Sequence, residues 1–117
     1  MPDREIRRGD IWWVEFDPVR GSEQGGTRPA LVLQNDIGNR TSPITLVAAI
    51  TTQFRRPYPF HVAVTSEETG LDKPSLILLN QLRTVEKARL LRRAGRLSPE
   101  RMLAVERALK HSLGMVT

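Results

Sequence analysis

Short blocks of apolar residues, separated by polar segments, run along most of the first 85 positions of the chain. The block from Asp10 to Phe16 is rich in aromatic and β-branched residues and predicts a strand at about residues 10–16. Similar blocks predict further strands at residues 30–34, 44–51, 60–64 and 75–85, the last of them long enough to be bent or split. Residues 35–39, with two asparagines, an aspartate and a glycine, predict a turn.

The last third of the chain has a different pattern. Residues 86–97 are basic and predict a short turn followed by an edge strand from about Leu91. A helix start follows. Ser98 is suited to the N-cap, Pro99 to the first helical position, and Glu100 places a carboxylate in the first turn. Helical spacing then follows at Met102, Val105, Leu109, Leu113 and Val116. We therefore expect one domain over residues 1–117, mainly β with a C-terminal helix (α+β), built on a small bent or barrel-like sheet.

Composition narrows the class of protein. With 39% hydrophobic and 26% charged residues among 117, the chain has the composition of a folded globular domain. It contains no cysteine, which excludes disulfides, thiolate metal sites and cysteine nucleophiles. The longest apolar run, Leu46 to Ile50, is far shorter than the roughly 18 residues needed to span a bilayer, and no apolar stretch follows the N-terminus. These features lead us to expect a cytoplasmic protein.

The net charge is +5, and 15 of the 18 basic residues are arginine. Arginine can grip a phosphate with two parallel hydrogen bonds and stack on a base, so nucleic acid is the simplest partner. An acidic protein or a membrane surface would satisfy the same electrostatics, and a GC-rich genome would also enrich arginine over lysine. Charge alone therefore supports phosphate binding only moderately.

Familiar catalytic and metal-binding motifs are missing. The sequence has no Walker loop or dinucleotide-binding glycine pattern, and His61 and His111 stand apart from other metal ligands, which favours structural roles for both. We therefore expect neither metal nor cofactor. The carboxylates Asp17, Glu23 and Asp36 fall in predicted loops, where solvation is their ordinary role. What stands out instead is a polar cluster at predicted strand ends, which comprises Ser22, Gln24, Thr27 and Arg28 before the second strand and Thr51, Thr52 and Gln53 after the third.

Five segments, two of which contain residues of this cluster, carry a resemblance to a known family. They are RGDIW at 8–12, GSEQGGTRP at 21–29, LQNDIGN at 33–39, AIT at 49–51 and LNQLRTV at 79–85. In this order and spacing the chain resembles, over about residues 7–113, the MazF/PemK family of toxin endoribonucleases from type II toxin–antitoxin systems. The resemblance implies an SH3-like, PemK-type barrel of five to seven strands with a C-terminal helix. It also implies a homodimer that cleaves single-stranded mRNA without metal and is inhibited by an acidic, partly disordered antitoxin.

Residue roles follow from the same resemblance. Arg28 matches the family's catalytic arginine, Thr51 its catalytic threonine, and residues 21–26 the mobile loop that covers RNA. Most relatives have an acidic residue where this chain has Asn80, and an amide need not accept the same base as a carboxylate, so the bases recognised stay open. Candidate RNA-binding residues are Ser22, Gln24, Gly26, Thr27, Gln53, Phe54, Arg55, Ser75, Asn80, Gln81 and Arg83.

Physical reasoning supports some of these choices independently. Phe54 beside Arg55 offers a stacking ring next to a phosphate ligand. Alternation along the fifth strand places Ser75, Gln81 and Arg83 on one face and Asn80 on the other, provided that no bulge intervenes.

RNA supplies its own nucleophile, the 2′-hydroxyl, so an enzyme needs mainly to align it and to stabilise the charge that develops on the phosphate. Arg28 and Thr51 are suited to that, while the group that accepts the proton is left open. Two alternatives remain. One is a noncatalytic gyrase poison of the same fold, which uses a tryptophan near the end of its last helix, whereas Trp12 and Trp13 lie in the first strand. The other is a basic RNA-binding module without catalysis.

Overall fold

A computed structural model describes residues 4–16, 26–53 and 56–115. Within these ranges the elements are β1 (Asp10–Glu15), β2 (Thr27–Val32), α1 (Asp36–Thr41), β3 (Ile44–Thr51), β4 (His61–Val64), α2 (Ser66–Thr69), β5 (Ser75–Glu86), β6 (Leu90–Arg96) and α3 (Pro99–Leu113). A 3-10 turn over Lys87–Arg89 joins β5 to β6. The predicted mainly β fold with a C-terminal helix is therefore confirmed.

The strands form one antiparallel sheet in the order β4-β5-β3-β2-β1-β6. The two edge strands, β4 and β6, do not pair with each other in the described part of the chain, so the sheet is open rather than a closed barrel. It is nevertheless strongly curled. Arg83 on β5 and Phe16, just after β1, are separated by two intervening strands, yet the Arg83 guanidinium carbon lies 5.2 Å from the centre of the Phe16 ring.

Each face of the sheet carries its own apolar cluster because side chains alternate along the strands. One face, here called the helix face, packs Ile11, Leu31, Ile50 and Ile77 against α3. The opposite face, here called the far face, carries Trp12, Val14, Ala30, Val32, Val47 and Val85. The neighbouring tryptophans divide between them, since Trp12 is buried in the far-face cluster and Trp13 packs on the helix-face cluster.

Local capping explains where the helices begin. The Ser98 hydroxyl accepts a hydrogen bond from the Arg101 N–H at 3.1 Å and so caps the start of α3. Gly114, with a φ of 71°, caps its C-terminal end. The predicted terminal helix is therefore confirmed. The predicted turn at residues 35–39 is wrong, because this segment begins the helix α1. There the Asn35 side chain caps the Gly38 N–H at 2.8 Å, so the same turn-forming chemistry starts a helix.

One irregularity interrupts the long strand β5. Leu82 pairs with Ala48 on β3, but the next β3 residue, Ala49, pairs with Leu78. Residues 79–81 are therefore extra relative to the partner strand and form a bulge, here called the β5 bulge. No helix in the described ranges is long and apolar enough to cross a membrane.

Candidate active site

Arg28 and Thr51 lie on the far face, on the adjacent strands β2 and β3. Strand β2 pairs with β3 through Ala30 and Ala49, and continuing that antiparallel register by two residues sets Arg28 opposite Thr51. Every second residue of a strand points to the same face of the sheet. Arg28 therefore shares the far face with Ala30 and Val32 on β2, and Thr51 shares it with Val47 on β3. Directly opposite residues on adjacent strands have Cβ atoms about 5 Å apart, so both side chains can reach one phosphate.

Arg28 is an exposed cation. Among the described residues it has no ion pair and its side chain makes no hydrogen bond, whereas ion pairs are formed by Arg7, Arg8, Arg89, Arg96 and Arg101. A guanidinium offers five N–H donors in a fixed plane, which suits the oxygens of a phosphate. The side chain therefore has its full donor capacity available to an anionic ligand.

Thr51 ends strand β3 and is half-buried. Its hydroxyl oxygen accepts a hydrogen bond from the Gln53 N–H at 3.1 Å, so the chain turns back over the threonine as it leaves the strand. A hydroxyl that already accepts one bond still has its own hydrogen to donate. Thr51 thus keeps an O–H donor on the far face, at the end of the strand next to β2.

A second cation joins this end of the sheet. Phe16 follows β1, its N–H donates to the Gly26 carbonyl at 2.9 Å, and Arg83 covers its ring. Because Gly26 lies two residues before Arg28, the curl of the sheet carries Arg83 toward the same end of the far face. The sequence offered no signal for Phe16 beyond its place at the end of a strand.

The remaining predicted residues divide into three groups. Ser22, Gln24, Phe54 and Arg55 lie outside the described residues. Thr27 and Gln53 are exposed next to Arg28 and Thr51, and Gly26 is half-buried. Asn80 and Gln81 are exposed in the β5 bulge.

Ser75 does not belong to the site. It is fully buried, and its hydroxyl donates to the carbonyl of Lys73 at 3.0 Å, which leaves no surface for RNA. The prediction that Ser75 and Arg83 share a face is also wrong. Ile77 and Leu79, in phase with Ser75, pack on the helix face, whereas Val85, in phase with Arg83, packs on the far face, because the β5 bulge reverses the alternation.

Sequence reasoning also missed an aromatic cluster at the start of β4. The rings of Tyr58 and Phe60 stack with centres 5.5 Å apart, and both contact the edge or face of His61. His61 pairs with Leu78, which pairs in turn with Ala49, so its side chain lies on the far face with Thr51. The signal was present in the sequence as two aromatic residues alternating with prolines.

A different arginine-rich region lines an open groove of about 590 Å³ along β1 and β6, here called the edge groove. Several of its lining residues bond to Asp10, which is wholly buried and accepts hydrogen bonds from Arg96 at 2.8 Å, the Arg7 N–H at 2.9 Å and Trp12 at 3.2 Å. A guanidinium nitrogen of Arg93 lies 4.0 Å from a carboxylate oxygen of Asp10. The groove is lined by Arg4, Glu5, Arg7, Trp12, Leu91, Arg92, Arg93 and Arg96.

Two carboxylates with shifted pKa values lie in structural positions. The pKa of Asp36 is lowered, chiefly because its carboxylate accepts a hydrogen bond from the Arg8 N–H at 2.7 Å. The pKa of Glu68 is lowered mainly by the Thr65 N–H, which closes a capping box at the start of α2. Within the described ranges, no three histidine or acidic side chains gather as metal ligands.

Comparison with known proteins identifies the family of this chain. Residues 7–113 match the family described as PemK-like, MazF-like toxin of type II toxin–antitoxin system. The chain is 46% identical to Endoribonuclease EndoA of Bacillus subtilis (strain 168), over 95% of its length and 97% of that protein.

Solved structures give the same result for the fold. A MazE–MazF structure from Deinococcus radiodurans superposes with a TM-score of 0.80 at 27% identity, covering 97% of this chain and 100% of that one. A mycobacterial endoribonuclease in complex with its cognate antitoxin superposes with a TM-score of 0.78 at 24% identity, covering 96% and 98%. With a family match that spans nearly the whole chain and a relative of this identity, the protein belongs to the PemK/MazF-like toxins of type II toxin–antitoxin systems.

Proposed function

We propose that this protein is a sequence-specific endoribonuclease that cleaves single-stranded RNA, mRNA in particular, on the far face of its sheet. The observation that carries the proposal is the juxtaposition of Arg28 and Thr51, the two positions that match the family's catalytic residues, on one face and on adjacent strands. The name of the Bacillus relative, an endoribonuclease, supports the same activity. We place the activity in the cytoplasm, where mRNA is found.

The proposed reaction is an internal displacement at phosphorus. The 2′ oxygen bonds to the phosphorus, the bond to the 5′ oxygen breaks, the 2′-hydroxyl gives up a proton and the 5′ oxygen gains one. The products are a 2′,3′-cyclic phosphate and a 5′-hydroxyl. Arg28 acts on the charge of the phosphate, while the Thr51 O–H donates to a phosphate oxygen. Each such donor contributes about 3–4 kcal/mol of transition-state stabilisation.

The toxin is also proposed to act as a homodimer that an antitoxin inhibits. Solved relatives include a toxin in complex with its cognate antitoxin. The cationic end of the far face would accept an extended acidic segment as readily as RNA phosphates, so the two ligands should compete. Both associations should weaken with salt, and for RNA the log–log slope should be about −0.7 per phosphate neutralised.

The decisive experiment mixes purified protein with a long single-stranded RNA in EDTA and maps every new end. We expect cleavage at a short recurring sequence, 5′-hydroxyl ends, cyclic phosphates on the other side and intact DNA of the same sequence. Activity only with added magnesium, or 5′-phosphate ends, would contradict the mechanism. Binding without any cleavage would instead identify a noncatalytic RNA-binding module.

A further inference from the structure

The turn that leads into β4 is closed by two hydrogen bonds. The His61 N–H donates to the Tyr58 carbonyl at 2.8 Å, and the Tyr58 N–H donates to Nδ1 of His61 at 3.2 Å. Pro59 occupies the second position of this four-residue turn, and Pro57 precedes it. Two prolines fix two φ angles in advance, so the turn needs little ordering to hold its side chains in place.

This rigid turn presents an aromatic surface to solvent. Tyr58 is 57% exposed, whereas Phe60 behind it is half-buried. The two rings are inclined by only 12°, and His61 packs edge-on at 4.7 Å from the centre of the Phe60 ring. Tyr58 is therefore backed by protein on one side while much of its surface remains open, and an exposed tyrosine held in this way is a ready stacking surface.

The aromatic turn also adjoins the β5 bulge. The Leu79 N–H donates to the Phe60 carbonyl at 3.0 Å, which ties the turn to the first bulge residue. Asn80 and Gln81 follow directly and are exposed. The aromatic turn is thus hydrogen-bonded to the residue that directly precedes two exposed amides, each with both hydrogen-bond donors and acceptors.

Its position relative to the candidate active site is defined by the sheet register. His61 on β4 pairs with Leu78 on β5, and Leu78 pairs with Ala49 on β3. Thr51 follows Ala49 by two residues on β3, so His61 and Thr51 are separated by two strand spacings and by two residues along the strand direction. On a flat sheet this corresponds to about 12 Å between the Cα atoms of His61 and Thr51. A ligand that reaches both places must therefore extend beyond a single phosphate group.

We propose that Tyr58, backed by Phe60 and His61, is a stacking site for one unpaired nucleobase of the RNA, a few nucleotides from the bond that is cleaved. This inference rests on the proposed function for the identity of the ligand. A base has a flat π face for Tyr58 and polar edges for the amides of Asn80 and Gln81, which matches both halves of the site. The site is separate from the predicted stacking residue Phe54, which lies outside the described residues.

The test measures binding and base stacking without requiring cleavage. Short single-stranded RNAs each carry the fluorescent adenine analogue 2-aminopurine at one position, and they are titrated into the full chain bearing Arg28→Ala. We expect quenching at one position, as a stacked base produces. Adding Tyr58→Leu should abolish that quenching and weaken binding about tenfold, whereas Tyr58→Phe and Tyr58→Trp should preserve both.

The matched control is Leu103→Ala on α3, a residue as exposed as Tyr58 but on the helix side of the molecule, which should change neither signal. Equal affinity and quenching for Tyr58→Leu and Tyr58→Phe would overturn the stacking site. That result is distinguishable from failure of the proposed function. If the unmodified protein did not cleave RNA in EDTA, the fluorescence titration would still report whether a base stacks on Tyr58.

Discussion

Two arginine-rich regions of this protein differ in what their cations contact. In the edge groove, Arg96 donates to the buried carboxylate of Asp10, Arg92 lies 5.3 Å from the centre of the Trp13 ring, and Arg4 donates to backbone carbonyls near β6. On the far face, Arg28 has no such partner among the described residues. The edge groove is richer in arginine, but its cations already hold the sheet edge together.

The difference shows that the number of arginines is a poor guide to a phosphate site. A guanidinium that already donates to a carboxylate must give up those bonds to bind RNA, whereas an unengaged one gives up only water. By this criterion Arg28 ranks above Arg7, Arg93 and Arg96, which pair with carboxylates. Arg92 differs from Arg28 in packing on the ring of Trp13. The predictions below test that ranking.

The largest effect should come from Arg28→Ala. We expect kcat/KM for RNA cleavage to fall by about 100- to 1000-fold, because a preorganised donor to the phosphate is lost. Arg92→Ala in the edge groove is the matched control and should leave cleavage within a few-fold of the unmodified protein. An equal loss in both variants would show that the two regions act together on RNA.

Thr51 provides a second test of the far face. Thr51→Val keeps the shape of the side chain but removes the O–H donor, and we expect kcat to fall by about 100-fold. Thr51→Ser keeps the hydroxyl and should retain much of the activity. If valine and serine gave the same rate, the hydroxyl of Thr51 would have no part in the reaction.

Asp10 tests the other side of the comparison. Asp10→Asn leaves Arg96 without its buried charged partner and should lower the free energy of unfolding by about 2–3 kcal/mol, measured by urea denaturation. Glu5→Gln breaks an exposed ion pair with Arg7 and should leave the free energy of unfolding nearly unchanged. Both variants should cleave RNA normally per folded molecule, and a specific loss of cleavage in Asp10→Asn would assign the edge groove to catalysis.

The smallest effect concerns acid stability. The lowered pKa of Asp36 means that the folded state favours its ionised form, chiefly through the Arg8 N–H. Its stabilisation is therefore present above the pKa of the unfolded chain and is lost as the pH falls through the lowered pKa. Asp36→Asn should lower the free energy of unfolding by about 1 kcal/mol or less at neutral pH. In strong acid it should have no effect, because the protonated aspartate and the asparagine that replaces it are both uncharged.

Urea midpoints at several pH values measure this dependence. Asp72→Asn, an exposed aspartate in the loop before β5, controls for the loss of one negative charge. A destabilisation by Asp36→Asn that was the same at neutral and acid pH would contradict the assigned linkage.

Much of the fold could be predicted because hydrophobic alternation and caps are local signals. Strand β3 lies at the predicted residues 44–51, and α3 begins at Pro99 behind its serine cap, as predicted. The start of α1 was missed because Asn35 and Asp36 can form a turn or begin a helix, and the choice depends on contacts from elsewhere. One such contact is the hydrogen bond that the Arg8 N–H donates to the Asp36 carboxylate, from a residue 28 positions earlier in the sequence.

The candidate site was less accessible to sequence reasoning. Arg28 and Thr51 came from matched motifs, and their juxtaposition depends on the β2–β3 register, which no local pattern contains. Ser75 was misplaced because alternation was carried through a bulge that no proline or glycine announces. Tyr58 and Phe60 were overlooked because their alternation with prolines resembles an ordinary connecting segment.

The β5 bulge has a consequence for insertions and deletions. Leu78 and Leu82 pair with consecutive residues of β3, so the ladder on either side keeps the register it would have if residues 79–81 were absent. Leu79 is fully buried, but Asn80 and Gln81 are exposed. The two amide residues therefore form an insert whose length and composition can change while the strands around it keep their register.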